Sequence, residues 1–123
     1  MLNKKVLIVE DESILRDAYA MVLNRHGYEV MTASDGEQAI EQIERDMPDL
    51  ILLDMLMPIL GGEGFLDKSD ILNKHKKTKI IIYSNLSDRE TVQRLIERGV
   101  HAHILKSSMA PHQLADYIKQ ALA

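Results

Sequence analysis

The chain has 123 residues, room for one compact domain, and 46% of them are hydrophobic; with one Phe, four Tyr and no Trp, Leu, Ile, Val and Met must build its core. Without cysteine it has no disulfide, no thiolate nucleophile and no Cys-ligated zinc site, which suits a reducing cytosol. A formal net charge of −4, no signal-peptide pattern and no apolar run of about 18 residues argue against direct nucleic-acid binding, export and membrane insertion.

Val6-Leu7-Ile8-Val9 is a branched apolar run that ends in acids, the pattern of a buried parallel strand. Ile14, Leu15, Ala18, Tyr19, Val22 and Leu23 then recur at helical spacing up to His26, with Gly27 as the terminating residue. Tyr28 to Ala33 reads as the second strand. Ser34-Asp35-Gly36-Glu37 has the form of a capping box, opening a helix to about Asp46 that Pro48 stops. Leu50-Ile51-Leu52-Leu53 is the third strand. Gly61, Gly62 and Gly64 crowd the start of the third helix, whose inner face is expected to hold Phe65, Ser69 and Leu72.

Lys74-His75-Lys76-Lys77-Thr78-Lys79 reads as a solvated loop, and Ile80-Ile81-Ile82-Tyr83 as the fourth strand. Ser87-Asp88-Arg89-Glu90 repeats the capping box before a fourth helix lined by Val92, Leu95 and Ile96 and ended by Gly99. Ala102 to Leu105 is the fifth strand; His101 and His103, two apart, are expected to share a face of it. The last helix, near Pro111 to Leu122, should bury Leu114, Tyr117 or Ile118, and Ala121. Met21, Met31 and Met55 read as core filler. Strict alternation of strand and helix implies an α/β fold with a parallel sheet covered on both faces. Residues 1–123 are expected to form a single domain, with no output domain.

Ligands of such sheets bind beyond the carboxyl ends of the strands. Glu10 and Asp11 follow the first strand, Asp54 the third, Ser84 the fourth and Lys106 the fifth, so residues distant in the chain converge on one rim. Carboxylates crowded in one cleft must share a proton or bind a cation. All-oxygen donors favour Mg²⁺, or Mn²⁺ in its place. One carboxylate can attack phosphorus to give an aspartyl phosphate, while a lysine ammonium and a serine hydroxyl neutralise the phosphoryl oxygens.

LIVEDE, LILLDMLMP, IIYS and the closing ILK resemble, in order and spacing, the signature segments of response-regulator receiver domains, across essentially the whole chain. That resemblance implies a flavodoxin-like (βα)5 doubly wound sheet with strand order 2-1-3-4-5. It implies that Asp54 is the phosphoacceptor, with Glu10, Asp11, Asp54 and the backbone carbonyl of Leu56 at the metal. Ser84 would be the switch hydroxyl, Lys106 its ionic partner, and His103 would stand where the family usually carries a mobile aromatic. Asn85 and Leu86 would modulate access. The protein would catalyse only its own phosphorylation and dephosphorylation. Its donor would be a sensor histidine kinase or histidine phosphotransfer protein, docking around Ile14, Leu15 and Ala18. Phosphorylation would reshape the face of the fourth helix, fifth strand and last helix, where Arg89, Arg94 and Arg98 await a downstream protein target or output domain.

Some positions depart from the family pattern. Ser107 replaces a proline usually reached through a cis peptide, Asn85 replaces a small residue, and Leu56 and Leu86 occupy positions that are commonly polar. A haloacid-dehalogenase-like phosphatase would want an acid where this chain has Leu56. An FMN-binding flavodoxin would want a Ser/Thr/Gly loop at Glu10-Asp11-Glu12. A receiver-like interaction scaffold that no longer depends on phosphorylation is the alternative that Ser107 and Asn85 keep open.

Overall fold

A computed structural model of the chain describes residues 3–85 and 89–123; Leu86, an expected access residue, and Ser87-Asp88 of the second predicted capping box lie outside the described residues. In chain order the elements are β1 (Lys5–Val9), α1 (Ser13–Arg25), β2 (Glu29–Ala33), α2 (Gly36–Arg45), β3 (Leu50–Asp54) and α3 (Gly62–Ser69). There follow α4 (Ile71–Lys74), β4 (Lys79–Ser84), α5 (Arg89–Arg98), β5 (Ala102–Leu105), a 3₁₀ turn (Lys106–Ser108) and α6 (Pro111–Leu122). All strand pairs are parallel, and the five strands lie in the order β2-β1-β3-β4-β5, as the sequence led us to expect.

Side chains alternate across a strand, and that rule sorts the core into two layers. Val6, Ile8, Leu50, Leu52, Ile81 and Tyr83 face Tyr19 and Leu23 of α1 and Leu114, Ala115 and Ile118 of α6. Leu7, Val9, Ile51, Leu53, Ile80 and Ile82 face Ala39 of α2, Phe65 and Leu66 of α3, Ile71 of α4 and Leu95 of α5. Strands buried on both faces account for their unbroken apolar runs. The chain leaves β1 toward β2 and β3 toward β4, in opposite directions. The crevice between the carboxyl ends of β1 and β3 is therefore the topological switch point. No helix among the described residues is long and apolar enough to cross a membrane.

Gly27 and Gly99 end α1 and α5 as predicted, with φ of 91° and 118°. In both, the next residue's N–H bonds a carbonyl five back, Tyr28 to Leu23 and Val100 to Leu95, which satisfies the last turn. Five expectations are corrected. The cap of α2 is Asp35, not Ser34: its carboxylate accepts from Gln38 N–H, while Gln38 Oε1 accepts from Ser34 N–H. The third helix is broken into α3 and α4 at Asp70, whose φ of 53° and ψ of 28° are left-handed. An aspartate tolerates this because its carboxylate bonds locally, here to Asn73 Nδ2 at 2.7 Å. The buried residues there are Phe65, Leu66 and Ile71 rather than Ser69 and Leu72. Finally, Met21 is exposed, and His101 lies just before β5 rather than in it.

Gly62 closes the loop that leaves Asp54, its N–H bonding Met55 O at 3.1 Å. A Cβ there would lie 2.7 Å from Asp54 O and 2.7 Å from Met55 Sδ. Gly62→Ala is therefore expected to cost about 1–3 kcal/mol of stability, read as a lower urea midpoint at unchanged slope.

Candidate functional site

β1 ends at Val9, so Glu10 and Asp11 emerge at the carboxyl edge; β3 ends on Asp54, β4 on Ser84, and Lys106 follows the last residue of β5. Alternation places Glu10, Asp54, Tyr83 and Lys106 on the α1/α6 side, and Ser84 and His103 on the other. Glu10 is 0% exposed and Asp54 3%, whereas Asp11 is open to solvent. Carboxylate oxygens of Glu10, Asp11 and Asp54 all lie within 4.8 Å of one another.

One cation holds this cluster. Lys106 Nζ donates to Glu10 Oε1 at 2.8 Å and to Asp54 Oδ2 at 3.0 Å. Leu56 N–H donates to the other Asp54 oxygen at 3.2 Å. Glu10 is the more heavily bonded acid. Tyr83 OH donates to its Oε1 at 2.8 Å, Glu12 N–H to its Oε2 at 3.1 Å, and Arg16 to its backbone carbonyl at 2.9 Å. Ser84 Oγ lies 3.3 Å from His103 Nε2, a bond whose direction follows the imidazole tautomer.

Burial and bonding divide the titrating groups. Burial pushes the Asp54 carboxyl up to about 6, against the opposing pull of Lys106 and the Leu56 N–H. Burial also raises Asp11, with Glu10 adding to it. For Glu10 the burial effect is outweighed by Lys106, Glu12 N–H and Tyr83, which hold it below the usual glutamate value. Burial would lower the Lys106 ammonium, but its bonds to Glu10 and Asp54 prevail and hold it above the usual lysine value. Burial lowers His103, favouring the neutral ring, and raises the Tyr83 phenol, which stays a hydroxyl.

With every acid ionised, three carboxylates face one ammonium. That residual negative charge and an all-oxygen donor set fit a small, hard divalent cation.

The expected site residues divide as follows. Glu10, Asp11, Asp54 and Lys106 form one cluster, and Leu56 joins it through its backbone N–H, which bonds Asp54. Ser84 and His103 pair beside it, and Asn85 is exposed at the rim. Leu86 lies outside the described residues. The peptides among the described residues include no cis bond, so the chain passes from Lys106 to Ser107 in trans and enters the 3₁₀ turn. Arg94 and Arg98, expected to await a partner, instead bond Glu63 at 2.7 Å and Asp67 at 2.8 Å on α3. Tyr83 was read only as strand. Alternation from Ile81 and parity with Asp54 were the signals that could have placed its ring on the Glu10 side. Exposed apolar residues ring the mouth: Ile14 is 86% exposed and Leu56 64%, and Ile59 sits at φ 67°.

Residues 6–119 match the family model described as the response regulator receiver domain. Sporulation initiation phosphotransferase F of Bacillus subtilis is 31% identical over 106 residues, covering 86% of this chain and 84% of that protein. The probable transcriptional regulator ycf27 of Guillardia theta is 34% identical over 98% of this chain, which spans 46% of that relative's length. Among solved structures, a CheY-like response regulator receiver domain protein from Methanospirillum hungatei superposes with a TM-score of 0.87 at 28% identity, covering 98% of this chain and 94% of that one. Chemotaxis protein CheY4 of Vibrio cholerae gives 0.85 at 27% identity, covering 97% and 98%.

Holding the Asp54 carboxyl at about 6 instead of 3.8 costs its charged form on the order of 3 kcal/mol. Without a cation, Asp54 therefore holds more proton in the native than in the unfolded chain between about pH 4 and 6, and its contribution to stability falls as pH rises through that window. Asp54→Asn is expected to stabilise the metal-free protein near pH 7 by on the order of 2 kcal/mol, the gap closing toward about pH 4. Denaturant midpoints across the range measure this; a gap that ignores pH would contradict it.

Proposed function

The chain belongs to the response regulator receiver domain family, and from that premise we propose that Asp54 accepts a phosphoryl group from a phosphohistidine donor. The observation that carries this reading is Lys106, bridging Asp54 and the buried Glu10 within a cluster of three acids. An Asp54 carboxylate oxygen forms the new O–P bond while the P–N bond of the donor breaks, and the imidazole leaves with the electron pair. Water later attacks phosphorus, returning the carboxylate and inorganic phosphate. Glu10, Asp11, Asp54 and the Leu56 carbonyl would hold Mg²⁺, which when bound neutralises the acids and the phosphoryl oxygens. That neutralisation matters because Asp54 must be anionic to attack, and burial opposes its ionisation.

Phosphorylation adds about −1.5 to −2 charges and three strong acceptors. Lys106 already points at Asp54 and needs only to exchange acceptors. Ser84 must trade His103 for a phosphoryl oxygen, and this frees His103 to repack. Since Ser84 and His103 lie on the α5 side of the sheet, the change reaches the α5-β5-α6 face, the surface for a downstream protein target or output domain. The name of the phosphotransferase F relative supports a role in phosphoryl relay, and those of the regulator relatives support an output behind a receiver. A sensor histidine kinase or histidine phosphotransfer protein in the cytoplasm is the proposed donor, meeting the chain across the exposed Ile14.

Incubation with a small phosphodonor and Mg²⁺ should add one labile phosphoryl group by intact mass, and Asp54→Asn should abolish it. An unmodified wild-type mass at saturating donor would favour the phosphorylation-independent scaffold instead. The exposed Leu56 side chain offers no polar group to attacking water. Leu56→Asn is accordingly expected to speed dephosphorylation several-fold, measured as decay of the adduct after donor removal.

A further inference from the structure

Glu10 is fully buried, and three donors reach its carboxylate: Tyr83 OH, Lys106 Nζ and Glu12 N–H. These donors differ in permanence. Lys106 is shared with Asp54 and, on the function proposed above, moves to a phosphoryl oxygen. When it leaves, the phenol is the donor that stays on Glu10 Oε1. That phenol is held in place. Tyr83 is 1% exposed, its ring stands edge-on to Tyr19 at a centroid distance of 5.6 Å, and Lys106 Nζ lies 5.3 Å over its face. Its register opposite Asp54 fixes the height of the hydroxyl at the rim.

We propose that Tyr83 is a positioning residue, whose hydroxyl pins the Glu10 carboxylate in the orientation that the divalent-cation site needs, both before and after Lys106 departs. The inference rests on the metal-assisted reading of the site and assigns the orientation of Glu10 to a side chain outside the acidic cluster. Glu12 N–H alone cannot do this, because it restrains only Oε2 and leaves Oε1 to whichever donor remains when Lys106 moves. A buried phenol ring packed against the edge of Tyr19 is a stiffer support than a lysine chain with four methylenes.

Calorimetric titration of the wild-type chain and variants with Mg²⁺ tests the inference directly, with no phosphoryl group present. Tyr83→Phe keeps the ring and its packing and removes only the hydroxyl. Its Mg²⁺ affinity should fall about tenfold, the equivalent of one hydrogen bond to a charged group. The Mg²⁺ concentration for half-maximal phosphorylation should rise by the same factor, with the rate at saturating Mg²⁺ near wild type. Tyr19→Phe, which removes the neighbouring hydroxyl but no bond to Glu10, should leave the affinity unchanged. In a Glu10→Gln background, Tyr83→Phe should have no further effect on Mg²⁺ affinity, since its action runs through the carboxylate. Wild-type affinity in Tyr83→Phe, an equal loss in Tyr19→Phe, or additive losses with Glu10→Gln would overturn the inference and leave the metal-assisted reading standing. A wild-type chain that binds no Mg²⁺ would overturn both.

Discussion

Acids gathered at one end of an apolar sheet repel one another and resist the loss of water, and most of this molecule's local design answers that constraint. Glu10 and Asp54 are buried because they continue strands whose other residues are buried, not because burial suits them. A single ammonium, Lys106, bonds both, and it reaches them because β5 lies two strands away from β3 and delivers the lysine just past its end. Remaining acceptors are met by backbone N–H groups of Glu12 and Leu56 and by Tyr83. The unequal outcome is chemically useful. Glu10, with more donors, is held below the usual glutamate value, while Asp54, with fewer, is pushed up to about 6, so its charged form stays costly until something compensates it. Removing a donor from a buried acceptor costs about 1–3 kcal/mol or more for a charged group, so these contacts are mutually dependent.

Much of this was legible in the sequence. Apolar runs ending in Glu10, Asp54, Ser84 and Lys106 marked both the strands and their carboxyl edge, because a parallel strand buried on both faces can carry polar residues only where it emerges. Helix ends with an unambiguous residue, Gly27 and Gly99, were equally plain, since the positive φ at those positions favours glycine. What was not legible arose where two local signals competed. Ser34 and Asp35 are both good caps, and the choice fell to Asp35, whose carboxylate reaches Gln38 N–H. Asp70 is an ordinary polar helix residue by spacing, and only its left-handed backbone, paired with Asn73, reveals the break.

Tyr83 was overlooked for a different reason: reading a strand for hydrophobicity ignores the polar end of a phenol. Parity would have sufficed. Counting by twos from Asp54 along β3, and from its register partner along β4, puts Tyr83 and Asp54 on the same face, with Ser84 on the opposite one. The same parity explains why the cluster divides into an electrostatic half, Glu10-Asp54-Lys106-Tyr83 against α1 and α6, and the proposed switching half, Ser84-His103 toward α5. The strand β4, alternating Tyr83 and Ser84, joins the two halves.

A switch responds only to what its ligand binds differently in its two states. Lys106 already bonds Glu10 and Asp54, and Ser84 already bonds His103, so on the proposed function their contacts to a phosphoryl group would be exchanges rather than additions. Reversing a population from about 1:99 to 99:1 takes about 5.5 kcal/mol, and even a fully new charge-assisted hydrogen bond yields only about 1.5–3. Two exchanged bonds therefore fall short of driving a costly rearrangement. On the proposed function the rearrangement itself must then be cheap. Leu95 is the only buried residue of α5 among those described, and the helix is tied to α3 by the exposed pairs Arg94–Glu63 and Arg98–Asp67. Such surface pairs contribute about 0–1 kcal/mol each. A helix so lightly anchored beside a heavily bonded charge cluster can be moved by a small differential, and it places the compliant part of the fold where the switching half of the site ends.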